Sequence, residues 1–126
     1  MDSEKEHQDQ FLFLKWKDET ELLRDRFIFL AEYFASTKGK YAYLESRTGI
    51  PAARWQNVFL YKQMPSIEML LSLIHYRREN IEWLLTGNVK KGLAMMEQKT
   101  PNEEAWNLFL EHKRYLNSKK GREKES

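Results

Sequence analysis

The residues with the most chemical scope lie near the middle of the chain. Gln56 and Asn57 carry adjacent carboxamides, which both donate and accept hydrogen bonds. Around them, between Lys38 and Gln63, five basic side chains (Lys38, Lys40, Arg47, Arg54 and Lys62) stand against one acidic side chain, Glu45. That imbalance is compatible with a local phosphate-binding surface. Its plain alternative is a solvated helix face.

Other chemistries find little support. The chain has no cysteine, which excludes a disulfide scaffold, a Cys-based zinc site and a thiol nucleophile. His7, His75 and His112 are far apart and have no metal-ligand spacing. There is no Gly-rich phosphate loop, nucleophile elbow or zinc motif. The expectation is therefore a non-enzyme with no metal, no cofactor and no evident small-molecule ligand.

The 126 residues, 41% of them hydrophobic and 13% aromatic, suit one domain with short extensions. The net charge of +2 is small but unevenly spread. Residues 1–25 hold eight acidic against four basic side chains, and residues 112–126 hold six basic against two acidic. The polar start Met1-Asp2-Ser3-Glu4 does not read as a signal peptide. The apolar runs Phe11–Leu14 and Phe27–Ala35 are too short, or too interrupted, to span a bilayer. A soluble cytoplasmic protein without a membrane partner is expected.

The elements that must position the central residues read as helices. Residues 1–10 are polar and read as frayed, and Phe11–Lys17 fits either a short strand or helical turns. Asp18 or Thr20 can cap a first clear helix, whose stripe is Leu23, Phe27, Leu30, Ala31 and Phe34 and whose stop is Gly39. Phe29 and Tyr33 lie off that stripe and need another cover. A second helix runs from Lys40 to about Arg47 and breaks at Thr48-Gly49-Ile50. Pro51 opens a third helix to about Tyr61, with Trp55, Val58 and Phe59 on one side and Ala52, Ala53, Gln56 and Asn57 mostly on others. Ser66 caps a fourth helix with the stripe Ile67, Leu70, Leu71 and Ile74. Asn80 caps a fifth, which Gly87 ends. Residues 88–99 form a connector with a possible turn at Leu93–Met96. Thr100-Pro101-Asn102-Glu103 then starts a C-terminal helix, with Thr100 at the cap.

The stretch Leu44-Glu45-Ser46-Arg47-Thr48-Gly49-Ile50-Pro51-Ala52-Ala53-Arg54-Trp55-Gln56-Asn57 resembles the helix-turn-helix of the Cro/CI-type phage-repressor family. Lys62, Pro65-Ser66-Ile67-Glu68-Met69-Leu70 and Trp83-Leu84-Leu85-Thr86-Gly87 extend the resemblance, which covers residues 20–88. There are departures. Glu45 stands where many members place Ala, Tyr41 where many place a phosphate-contacting Gln, and Tyr61 where many place a helix-ending Gly.

The resemblance implies an all-α fold: a compact five-helix bundle, here with an additional C-terminal helix. It also implies that the third helix enters the major groove of double-stranded DNA. Ala52, Ala53, Gln56 and Asn57 then face the bases, Gln and Asn pairing with adenine and Ala touching a thymine methyl. Lys40, Tyr41, Arg54, Lys62 and Gln63 hold phosphates. Trp55 takes the family's buried position. The implied organisation is an extension 1–17, a DNA-binding domain 18–88, a connector 89–99, a C-terminal helix 100–118 and a charged tail 119–126. The apolar side of the C-terminal helix is expected on the first helix or on a second subunit, as a homodimer. The functional expectation is a repressor-like, sequence-specific transcription regulator. The competing expectation is a protein-interaction module that keeps the fold without DNA.

Overall fold

The computed structural model describes residues 2–35, 38–89 and 98–125, with side chains between 13 and 114. Among them every element is helical and no strand occurs. The helices are α1 (Asp2–Phe34), α2 (Lys40–Thr48), α3 (Ala52–Phe59), α4 (Ile67–Tyr76), α5 (Ile81–Thr86) and α6 (Glu103–Glu125), with a 3-10 turn at Arg78–Asn80 before α5.

The core forms where the apolar sides of the helices meet, but α4 buries Met69 and Leu73 and leaves Ile67 and Leu71 of its expected stripe exposed. Phe27, Leu30 and Ala31 of α1 are buried among Leu44 of α2, Trp55 and Val58 of α3, Met69 and Leu73 of α4 and Leu84 of α5. Leu23 and Phe34 pack at its edges. Phe29, off the stripe, is covered from another direction: Trp83 of α5 and Trp106 and Phe109 of α6 meet its ring edge-on, with centroids 5.3–6.0 Å away. The apolar side of α6 thus packs on α1 of its own chain.

Several local expectations change. α1 runs unbroken through Asp18 and Thr20, so neither caps a helix start. Thr20 Oγ1 instead donates to the Lys17 carbonyl, a local bond that a helix interior tolerates on an exposed face. Residues 11–17, open to either reading, are helical, and the polar 2–10 continue the same helix. Pro51 sits one residue earlier than expected, as the N-cap of α3. Asn80 makes no side-chain cap; it is buried, and its Nδ2 donates to the Lys99 carbonyl at 2.7 Å. For α6 the cap is Asn102, whose Oδ1 accepts from Ala105 N at 3.1 Å, not Thr100. Pro101 is buried two residues before the helix, so the start moves past it. α6 also continues beyond 118 to Glu125, through most of the expected tail. The turn expected at Leu93–Met96 lies outside the described residues.

Two chain reversals depend on left-handed backbone. Gly49, at φ +74, closes α2 by donating its N–H to the Glu45 carbonyl at 2.8 Å. Gly87, at φ +80, closes α5 in the same way on Trp83. A Cβ at Gly87 would lie 3.3 Å from Nη1 of Arg26. The crowding arises because Arg26, buried on α1, donates Nε to the Leu84 carbonyl at 2.7 Å and Nη2 to that of Leu85 at 3.3 Å. A guanidinium thereby satisfies the carbonyls left open at the end of α5. Burial pulls the Arg26 pKa down, while the charges of Glu19 and Asp25 push it back up.

Candidate nucleic-acid interface

α2 and α3 are joined by the short turn Gly49–Pro51, and α3 stands on the core through Trp55, Val58 and Phe59. Trp55 stacks on Phe27 of α1, with centroids 5.7 Å apart and rings 4° from parallel. That anchor fixes which side of α3 faces out. Ala53, Arg54 and Gln56 are exposed, and Ala52 and Asn57 are partly exposed. The four residues expected at bases therefore lie on the outer side and flank of one eight-residue helix.

The five residues expected at phosphates divide. Arg54, Lys62 and Gln63 are exposed. Lys40 is committed elsewhere: its Nζ lies 3.3 Å from Glu32 Oε1 and over the rings of Tyr41 and Phe59, at 5.4 and 5.1 Å. The ring of Tyr41 packs edge-on against Phe59 at 5.4 Å. Lys40 and Tyr41 thus help to seat α2 on α3.

The departures from the family pattern have physical accounts. Glu45 is exposed, so its carboxylate stays in water and carries no burial cost. Tyr61 adopts the left-handed conformation that a glycine would supply, at φ +60. It completes a Schellman cap: Tyr61 N donates to the Val58 carbonyl at 3.0 Å, and Lys62 N to that of Asn57 at 2.9 Å. A side chain at such φ costs about 1–2 kcal/mol, and here the side chain gains something in return. Tyr61 Oη donates to Oδ1 of Asp25 at 3.1 Å, and Asp25 is only 3% exposed.

Asp25 also accepts from Lys113 Nζ on its other oxygen, which ties α6 to α1. Asp25, Arg26 and Lys113 were not singled out in the sequence.

The Tyr61 hydroxyl is pushed far above its usual pKa, first by burial, then by the charge of Asp25 and the hydrogen bond to it, with Arg24 opposing. The native chain therefore holds this proton to higher pH than the unfolded chain. The stabilisation is complete below about pH 10, the ordinary tyrosine value, and declines as pH rises above it. Urea midpoints between pH 8 and 11.5 should fall less steeply for Tyr61→Phe than for the native chain. Equal slopes would place Tyr61 outside the Asp25 contact.

Among the described residues no His, Cys, Asp or Glu cluster is arranged to hold a metal ion. No helix among them is long and apolar enough to cross a membrane. No family model, curated protein or solved structure matches the chain.

Proposed function

We propose that this chain is a sequence-specific, repressor-like DNA-binding regulator that inserts α3 into the major groove. The observation that carries the reading is the division of α3. Trp55, Val58 and Phe59 are buried, while Ala53, Arg54 and Gln56 face solvent beside exposed Lys62 and Gln63. Gln56 and Asn57 then read bases, with Ala52 and Ala53 against them. Arg54, Lys62 and Gln63 hold phosphates and set the salt dependence; Lys40 joins them only if its Glu32 contact opens, and Tyr41 only if its ring leaves Phe59.

The protein acts as a homodimer on this reading, so that two copies of α3 meet successive turns of the duplex. Leu108, 65% exposed on α6 beside a groove lined by Tyr33, Ala105 and Phe109, supports a self-contact. Sedimentation should give a dimer at high micromolar concentration; a monomer there overturns this part.

The test of the whole reading is fluorescence anisotropy with mixed-sequence duplex DNA over a salt series. The native chain is expected to bind, and to bind more weakly as salt rises. Arg54→Ala with Asn57→Ala should weaken binding by about tenfold or more, as lost phosphate and base contacts require. Absence of binding at low salt would favour the second reading, a protein-interaction module. One observation speaks for that module: Leu60, Met64, Ile67 and Leu71, just after the outer face of α3, are large apolar residues left exposed.

A further inference from the structure

The turn that ends α3 is held from outside its own helix. Its cap rests on three backbone bonds, from Leu60 N to Gln56, from Tyr61 N to Val58 and from Lys62 N to Asn57. At its centre Tyr61 sits at φ +60, where a residue with a side chain stays only if its surroundings hold it. The holding group is Asp25 of α1, which takes the Tyr61 hydroxyl on Oδ1 and the Lys113 ammonium on Oδ2. Above the Tyr61 ring lie the Arg24 guanidinium at 4.8 Å and Lys113 Nζ at 5.5 Å. Lys113 comes from α6, 88 residues along the chain from its partner. Removing its charge would leave the Asp25 carboxylate buried, with the charge of Arg26 on its own helix still acting on it.

We infer that Asp25, Tyr61 and Lys113 are a positioning latch. Through it α6 sets the pose of Asn57–Lys62, and so the affinity of α3 for DNA, without touching the duplex. This rests on the reading of α3 as the DNA-binding helix. It gives α6 a regulatory meaning: whatever draws α6 off Phe29 also loosens the end of the reading helix.

The test uses the full chain as native, Lys113→Met and Lys113→Arg, with two readouts. The first is amide exchange at Leu60, Tyr61 and Lys62, whose N–H groups close the cap. Lys113→Met should speed these three by about tenfold beyond any change in the slowest core amides. The second is duplex anisotropy over salt. The same variant should bind about 3- to 30-fold more weakly at an unchanged salt slope, and Lys113→Arg should restore both readouts.

Exchange at the cap that rises only in step with the core overturns the latch and makes Lys113 merely structural. A salt slope reduced by about one overturns it too, because Lys113 would then be a phosphate contact. If Lys113→Met does not fold, Tyr61→Phe removes only the hydroxyl and must show the same selective exchange for the latch to stand. A native chain that binds no duplex overturns the DNA reading, and the exchange ratio alone then decides whether α6 holds the cap.

Discussion

Trp55→Ala should remove about 3–5 kcal/mol of folding stability, the usual cost of emptying a buried tryptophan site. Set against a total of about 5–15 kcal/mol for a natural domain, that is enough to unfold much of the population. The indole is fully buried, stacks on Phe27 and is the largest buried side chain of α3. Its removal strips the helix of its footing on α1. Urea denaturation followed by far-UV circular dichroism measures the loss, and a variant within 1 kcal/mol of native would show that α3 is held by something else. Trp55→Phe should cost much less. It keeps the ring stack and deletes an indole N–H that has no hydrogen-bond partner among the described residues.

Phe29→Ala should have an effect of similar size, about 3–5 kcal/mol, but in a different place. Phe29 is the ring on which Trp83, Trp106 and Phe109 converge, and the Trp83 and Trp106 rings also meet edge-on at 5.1 Å. Such edge contacts add to simple burial. Without the Phe29 ring, α6 keeps its ion pair to Asp25 but loses its apolar seat. Hydrogen exchange should show the amides of Ala105–Lys113 losing protection before those of α3 and α4. Uniform loss across all helices would mean that α6 unfolds together with the rest as one unit.

What the sequence made legible follows from its range of influence. The stripes Leu23-Phe27-Leu30-Ala31-Phe34 and Trp55-Val58-Phe59 are visible because a buried helix face repeats every three to four residues. Ser66 is visible because its hydroxyl acts three residues on, at Met69 N. Phe29 announced by its position that a further cover was needed, and α6 provides it. The exposed side of α3 follows directly from its buried side.

The illegible parts depend on distant partners. Arg26 finds its acceptors 58 and 59 residues away, and Asp25 its cation 88 residues away. No local pattern marks an ionisable group for burial before those partners arrive. The start of α1 escaped because Phe11–Leu14 is apolar at every position, which erases periodicity. The cap of α6 was misplaced by two residues because Thr100 and Asn102 are both competent caps, and the burial of Pro101 decided between them. The commitment of Lys40 to Glu32 required the packing of α1 beside α2.

The 88-residue separation of Asp25 and Lys113 also bears on how the chain is made. At about 5–20 residues added per second, a ribosome needs about 4 to 18 s to reach Lys113 after it has placed Asp25. Through that interval Asp25 is without its cation, and until α6 is made Phe29 has only Trp83 of its three aromatic covers. The contacts that seat α6 on α1 therefore form last, after the core of α1 to α5 is already complete in the chain.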